Sequence, residues 1–338
     1  MARTARANQA PALDVTPPPG GASSGDVEMM RLVAELYYVR DHSQSAIADL
    51  TGFSISKVSR LLSQARELGV VSISVQPAPQ ELREVAGKLS AALRIEEAYV
   101  TPGRSDDPAA ETRLCAVAAA PWVAEIVPEA GVLGIAGGYT VAALVEALPR
   151  TERSHLTIVP LVGGWDPATP HLDINEVARR AAERLACRYL LLHAPGRLDS
   201  SELRTALMRE SAIRATTDYW VRLSVAIIGI SGAPLADPGY VTVMHRLSDP
   251  ERMRLADRRV VGDMVGHLFT LEGAIVDDPW SDRTLAIPID QLRSAARVIA
   301  IAAGPHKVDG IIGACRTGLI GSLITDQPTG ERVLAQLG

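Results

Sequence analysis

The segment from Gln44 to Arg66 limits the possible folds of this chain more than any other. At each sterically restricted position it has a residue that fits there. Ala48 is small enough to lie where two short helices touch, and Gly52 can adopt the positive φ that ends the first helix. Ser54 is a suitable N-cap for the second helix. This spacing predicts a helix-turn-helix. The apolar residues that would fill the wedge between its helices are Ile47, Phe53, Val58 and Leu61.

The second helix of this motif is predicted to expose hydroxyl and cationic side chains, with no acidic residue before Glu67. Such donors contact phosphates and base edges when a helix enters the major groove of DNA. The alternation from Val70 to Val75 predicts a strand that forms a wing. A plain three-helix bundle with solvated polar residues is the alternative interpretation. The predicted DNA-contacting residues are Ser54, Ser56, Lys57, Ser59, Arg60 and Ser63.

Changes in composition divide the chain into four parts. Residues 1–25 are rich in Ala, Pro, Gly and Ser, which predicts a disordered tail. Helical periodicity begins near Asp26, a candidate N-cap. We predict a winged helix-turn-helix domain over residues 26–78, a linker helix over 79–94 and an effector-binding domain over 95–338.

From about Ile95 the pattern changes to short apolar strands, glycine turns and helices. Strands that are apolar on both faces and alternate with helices predict an α/β fold with a doubly wound, mostly parallel sheet. Aromatic residues make up only 4% of the chain, so Ala, Val, Leu and Ile are expected to build the core. The candidate strands are Val132–Ala136, Thr157–Val162, Tyr189–His193, Val225–Ile230, Leu285–Ile287 and Val298–Ala302, and the candidate helices are Thr140–Leu148, Asn175–Cys187 and Lys307–Arg316.

Charge, cysteine content and hydropathy exclude several classes of protein. A net charge of -5 argues against wholesale non-specific binding to nucleic acid, but it leaves room for a small DNA-reading surface. The cysteines are far apart, so we predict no zinc or other metal site, no disulfide framework and a cytoplasmic location. The sequence has no apolar run of about 18 residues, so we predict no membrane span. No apolar segment follows Arg3 and Arg6, which argues against a signal peptide.

Three glycine turns follow predicted strands, and they would meet at the carboxyl edge of a parallel sheet, where ligands bind. Gly137-Gly138-Tyr139-Thr140 opens a helix and offers backbone N–H groups and a hydroxyl, which suits phosphate. Gly163-Gly164 follows the next strand. Gly304 precedes Lys307, which would supply a cation. For each turn, a tight bend with no ligand is the alternative.

The chain resembles the SorC family of sugar-responsive bacterial transcriptional regulators over nearly its whole length after the tail. The matching segments occur in the family's order and reach almost to the C-terminus. They are Leu36-Tyr37-Tyr38, Gln44-Ser45-Ala46-Ile47-Ala48, Ser56-Lys57-Val58-Ser59-Arg60-Leu61-Leu62, Val159-Pro160-Leu161-Val162-Gly163-Gly164, His193-Ala194-Pro195, Gly262-Asp263-Met264-Val265-Gly266 and Leu323-Ile324-Thr325-Asp326.

This resemblance implies an operator-binding regulator whose effector domain is related to sugar-phosphate isomerases and deaminases. It also implies a homo-oligomer, either a dimer or a tetramer. It places the phosphate of the effector at Gly138, Thr140 and Lys307, and the sugar hydroxyls at Asp263. Val162 stands where some phosphosugar-binding relatives have an arginine. A sugar, a sugar phosphate, a free polyol and a nucleoside-linked compound therefore all remain open as effectors, as do repressor and activator roles.

The histidines His193, His245, His267 and His306 raise an enzymatic alternative. Asp263 near His267 could mimic the acid–base pair of a deaminase or isomerase. The resemblance instead implies a domain that retains the fold without turnover. We therefore predict no catalytic residue, no metal and no cofactor.

Overall fold

The computed structural model describes residues 24–71, 79–103, 107–164, 172–232 and 247–338. The chain divides into two compact units, residues 1–77 and residues 78–338. Residues 1–23 of the predicted tail and residues 72–75 of the predicted wing strand lie outside the described residues.

The described residues of the first unit form three α-helices, which are α1 (Ser24–Ala34), α2 (Gln44–Thr51) and α3 (Ile55–Glu67). A π-helical turn, Glu35–Val39, continues α1. Asp26 lies in the first turn of α1 and is not its N-cap, because the helix already begins at Ser24. The buried core of this unit comprises Met30, Val33, Ala34, Ile47, Ala48, Val58, Leu61, Leu62 and Ala65.

The turn between α2 and α3 has the geometry that its residues predict. Gly52 has a φ of 71°, and its N–H donates to the carbonyl of Ala48 at 2.9 Å. Ser54 has extended backbone angles, and its Oγ accepts a hydrogen bond from the N–H of Lys57 at 3.2 Å. The predicted roles of Gly52 and Ser54 in ending one helix and capping the next are confirmed.

The strands of the second unit are short. They are β1 (Glu97–Thr101), β2 (Ala130–Ile135), β3 (His155–Pro160), β4 (Arg188–Tyr189), β5 (Leu223–Gly229), β6 (Val260–Met264), β7 (His267–Thr270), β8 (Arg297–Ile301) and β9 (Ser322–Asp326). Seven of them form a parallel sheet in the order β1-β9-β8-β5-β2-β3-β4, and β6 pairs with β7 as an antiparallel hairpin. The predicted fold class, a mostly parallel α/β sheet, is confirmed.

Helices follow most of the strands. They are α4 (Gln80–Leu93), α5 (Pro108–Ile126), α6 (Tyr139–Ala147), α7 (Ile174–Leu185), α8 (Ser201–Leu207), α9 (Ser211–Thr217), α10 (Asp249–Asp257), α11 (Pro279–Asp282), α12 (Ile289–Arg293), α13 (Val308–Arg316) and α14 (Gln327–Leu337). Two 3-10 turns, Trp220–Arg222 and Pro305–Lys307, precede β5 and α13. Among the described residues, no helix is both long enough and apolar enough to cross a membrane.

The helix that was predicted as a linker is α4, and it belongs to the second unit. Its residues Leu82, Leu89 and Leu93 are buried in the same core as the parallel sheet. Aliphatic side chains build most of that core, as the low aromatic content suggests. The helix is therefore a structural part of the effector domain.

Two predicted strands differ from the structure. Leu285–Ile287 is buried but stands outside the parallel sheet, where Ala286 forms an isolated antiparallel bridge with Val162. Of Tyr189–His193, only Tyr189 pairs in the sheet. Farther along this segment, the side-chain amide of Asn175 binds both backbone groups of Leu192, at 2.8 and 3.2 Å. The apolar character of these two segments did not show which strand each of them would pair with.

Candidate functional site

The order of the parallel strands reverses between β2 and β5. The chain passes from β2 to β3 on one side of this point, and from β5 to β8 on the other. Connections that leave adjacent strands in opposite directions open a crevice at the carboxyl ends, where ligands bind in such sheets. The N–H of Ala136 donates to the carbonyl of Ile227 at 2.9 Å, which holds these two strand ends together.

The N-terminus of α6 forms one wall of this crevice. Gly138 precedes the helix with a φ of 113°, a value that favours glycine, and a Cβ there would meet no atom within 4 Å. The first intrahelical bond of this end runs from the N–H of Ala142 to the carbonyl of Gly138, at 2.9 Å. The positive end of the helix dipole and its first-turn N–H groups suit an anion. Thr140 is half-buried in this turn, and Tyr139 is 49% exposed.

Ser231 and Asp263 form the opposite wall. Ser231 follows β5, and its hydroxyl donates to the carboxylate of Asp263 and accepts from the N–H of Asp263 at 2.8 Å. The N–H of Ser231 donates to the carbonyl of Asp263 at 3.0 Å. A further donor, the N–H of Gly266, lies 3.3 Å from Oδ2 of Asp263. These bonds tie the β6–β7 hairpin to the end of β5.

The β-hairpin turn itself has an unusual backbone. Val265 has a φ of 50° and Gly266 a φ of 80°. Positive φ at both central residues is typical of a tight type I′ turn, but it is strained for a β-branched side chain. Val265 is only 7% exposed, so its packing offsets this strain and holds the N–H of Gly266 toward Asp263.

Asp263 and Lys307 have opposite pKa shifts with the same cause. Burial raises the pKa of the Asp263 carboxyl, while the bonds from Ser231 and Gly266 and the charge of Lys307 oppose that change. Burial lowers the pKa of Lys307 to about 8, against the attraction of Asp263. Each group therefore gives up its charge more readily than it would in water, and a polar ligand can stabilise both charged forms.

Glycines allow Lys307 to approach this wall. A Cβ at Gly232 would lie 2.2 Å from the carbonyl oxygen of His306, and one at Gly310 would lie 2.6 Å from that of Ser231. The turn after β5 therefore packs directly on the 3-10 turn that ends at Lys307. Sequence reasoning missed Ser231, although Ile230-Ser231-Gly232 repeats the strand-then-glycine pattern of the other turns.

Gly163 and Gly164 shape the crevice through their backbones. The N–H of Gly163 donates to the carbonyl of Leu285, and that of Gly164 to the carbonyl of Ala194, both at 2.9 Å. A Cβ at Gly163 would lie 2.6 Å from the oxygen of Ala194. These N–H groups are already engaged, so contact of these glycines with an effector stays a prediction.

Gly304 has its N–H directed into the protein. This N–H donates to Oδ2 of Asp326 at 3.0 Å and to Oγ1 of Thr329 at 2.8 Å. Gly304 therefore positions the turn that carries Lys307, and its contact with an effector stays a prediction. Sequence reasoning missed Thr329, and it quoted Asp326 only as part of the motif Leu323-Ile324-Thr325-Asp326.

His267 does not form a hydrogen-bonded pair with Asp263 among the described residues. Its Nε2 lies 2.7 Å from the carbonyl oxygen of Ile287, so this nitrogen is the donor. Burial lowers the pKa of His267. A cavity of about 280 Å³ borders His267 and Gly266 and also Arg204, but Gly138, Thr140 and Lys307 do not line it.

The exposed face of α3 carries most of the predicted DNA contacts. Ser63 differs from the prediction of exposure, since it is half-buried on the flank of the helix between the buried residues Leu62 and Ala65. Its Oγ accepts from the guanidinium of Arg66 at 3.4 Å. The exposed predicted residues are Ser54, Ser56, Lys57, Ser59 and Arg60.

A helix-turn-helix unit and an α/β unit with a ligand crevice, carried on one chain, define a transcriptional regulator that responds to a small molecule. Residues 78–335 match the family Sugar-bind, a sugar-binding domain. The chain is 30% identical over 316 residues to the sorbitol operon regulator of Klebsiella pneumoniae, covering 92% of this chain and 99% of that protein. It belongs to the SorC family of transcriptional regulators.

Two further comparisons agree with this assignment. The crystal structure of the full-length sorbitol operon regulator SorC from Klebsiella pneumoniae matches with a TM-score of 0.68, covering 92% of this chain and 100% of that chain. The erythritol catabolism regulatory protein EryD of Brucella abortus is 26% identical over 320 residues, covering 93% of this chain and 98% of that protein. The likeness therefore extends through both units.

Proposed function

We propose that this regulator controls a carbohydrate or polyol catabolic operon, and that a small, phosphorylated, sugar-like effector sets its affinity for operator DNA. The observation that carries the proposal is the crevice between β2 and β5. The N-terminus of α6 with Thr140 suits a phosphate, to which Lys307 adds a cation. Asp263 and Ser231 suit the hydroxyls of a sugar or polyol.

The spacing of the sheet supports a single ligand across this crevice. The turns after β2 and β8 are separated by β5 alone, which corresponds to about 10 Å at the usual distance between strands. A lysine side chain covers much of this distance, so Lys307 can reach a phosphate held at the first turn of α6 while Asp263 and Ser231 meet the hydroxyls of the same ligand. The names of the sorbitol and erythritol regulators support an effector of this polyol class.

The proposal has a second part, which concerns DNA. Helix α3 enters the major groove, where its exposed hydroxyl and cationic side chains contact base edges and phosphates. A dimer or tetramer, located in the cytoplasm, presents one α3 helix to each operator half-site. The residues that make these contacts are Ser54, Ser56, Lys57, Ser59 and Arg60, with Ser63 at their edge.

We expect the effector to change operator binding without being consumed. The full chain, mixed with DNA from upstream of its own gene, would be titrated with glucitol 6-phosphate, ribose 5-phosphate, glucosamine 6-phosphate and the corresponding free compounds. At least one should shift the anisotropy of labelled DNA, while NMR shows it unchanged after hours. Steady conversion that Asp263→Asn abolishes would instead establish an enzyme, and the absence of any shift across the panel would contradict the proposed effector class.

The affinity for a phosphorylated effector should fall as the pH rises above about 8. A phosphate favours the ammonium form of Lys307, whose pKa in the free protein is about 8, so binding above that pH requires uptake of a proton. The phosphate itself is fully ionised there. Between pH 8 and 9.5 we expect affinity to drop roughly 15-fold, because half of the lysine is already neutral at pH 8 and the loss approaches tenfold per pH unit only above that pH.

Lys307→Arg provides the control for this titration, because arginine stays charged throughout the range. Calorimetry should show a pH-independent affinity for this variant between pH 7.5 and 9.5. A wild-type protein whose affinity is equally flat would exclude Lys307 as the phosphate-binding cation.

A further inference from the structure

Asp326 and Thr329 form a closed hydrogen-bond network with Gly304. Oδ1 of Asp326 accepts from the N–H of Thr329 at 2.8 Å, and its Oδ2 accepts from the Thr329 hydroxyl at 2.9 Å. The N–H of Gly304 completes the network at 3.0 Å from Oδ2 and 2.8 Å from the Thr329 Oγ1. Asp326 is 1% exposed and Thr329 is fully buried.

This network contains more than helix capping requires. Asp326 ends β9 and is the N-cap of α14, a role that needs only the bond to Thr329 N–H. Of the remaining bonds, one joins the Thr329 hydroxyl to Asp326, and two come from the N–H of Gly304, which lies on a different strand connection. Gly304 accepts in turn from the N–H of Lys307 at 3.0 Å, so a buried carboxylate and hydroxyl fix the base of the Lys307 turn.

Helix α14 connects this network to α4 through a close contact. Gly330 directly follows Thr329, and a Cβ at Gly330 would lie 2.9 Å from Cδ1 of Leu89 and 3.4 Å from Cγ1 of Val85. At this separation the start of α14 cannot move toward α4 without displacing it. Helix α4 begins at Gln80 and is the first helix after the helix-turn-helix unit in the chain.

We propose that Asp326 and Thr329 couple the Lys307 turn to helix α4, so that effector phosphate at Lys307 alters the helix that follows the DNA-binding unit in the chain. The proposal rests on the function proposed above, because it takes Lys307 as the phosphate-binding cation. A displacement of Lys307 on ligand binding is transmitted to Gly304, then to the Thr329 hydroxyl, and then through Gly330 to Leu89. Asp326 and Thr329 act as positioning residues and do not contact the ligand.

Three matched variants of the full chain test the coupling. Thr329→Val preserves side-chain shape but removes the hydroxyl, whereas Thr329→Ser keeps it. Thr325→Val is the control, because Thr325 is an equally buried threonine on β9 whose hydroxyl has no hydrogen-bond partner among the described residues. Hydrogen exchange followed by mass spectrometry would monitor peptides covering residues 302–308 and 80–93, with and without inorganic phosphate.

Without phosphate, Thr329→Val should raise exchange about tenfold in both peptides, while Thr329→Ser and Thr325→Val stay within about twofold of wild type. Faster exchange in residues 302–308 alone, or in neither peptide, overturns the coupling. With phosphate, wild type should be protected in both peptides and Thr329→Val in residues 302–308 only. If phosphate leaves the hydrogen exchange of the wild type unchanged, although the ligand-free variants behave as expected, the phosphate site is refuted. The structural coupling is then still established.

Discussion

Replacing Arg60 with alanine should weaken operator binding by about tenfold to a hundredfold, the usual loss when an arginine that reads a base is removed. Arg60 is exposed on α3, clear of the buried residues Val58, Leu61 and Leu62 that hold the helix in place. The fold should therefore survive the change. Anisotropy of labelled operator DNA, measured at one fixed salt concentration, would quantify the loss.

Lys57 should behave differently, because its single flexible ammonium suits phosphate better than a base. In the free protein its Nζ lies 3.9 Å from the centre of the Phe53 ring, which keeps the charge at the surface of the motif. Lys57→Ala should reduce the slope of log affinity against log salt by about one, with little change in sequence preference. Lys88→Ala, an exposed lysine on α4, is the control. If the Lys57→Ala, Arg60→Ala double variant binds operator DNA with unchanged affinity, α3 is not the recognition helix.

Lys307→Ala should weaken binding of the phosphorylated effector by about tenfold or more. A hydrogen bond to a charged group contributes roughly 1.5–3 kcal/mol, and here the ammonium lies among buried groups that screen it poorly. The DNA affinity of the ligand-free protein should barely change, because Lys307 belongs to the other unit.

The fold should tolerate this change as well. Burial lowers the pKa of Lys307, so below pH 8 the buried ammonium costs stability, and its removal should leave the melting temperature unchanged or higher. Calorimetry with a sugar phosphate and its free sugar decides the nature of the effector. If the free compound binds as tightly and Lys307→Ala has no effect, the crevice accepts an unphosphorylated polyol.

The local parts of this structure could be predicted because their requirements lie close together in sequence. Gly52 and Ser54 act within one turn, and buried strands such as β5 are recognisable as continuous apolar runs. The hydrogen bonds of the site join distant residues, such as Ser231 with Asp263 and Gly304 with Asp326. No local periodicity encodes these pairs. Leu285–Ile287 was assigned to the sheet for the same reason, since an apolar run does not specify its partner.

The pairing of β1 with β9 also determines when the second unit can finish folding during synthesis. Glu97 is in register with Ser322, so the edge strand of the second unit waits for nearly the whole chain to leave the ribosome. Helix α4 also lacks its packing partner until α14 has been synthesised, because α14 covers it. Among the described residues, α1, α2 and α3 bury a core whose members lie close together in sequence, so they can fold long before this. A chain whose synthesis stops before β9 thus has a folded first unit but an unfinished second unit, whose exposed apolar surfaces invite degradation.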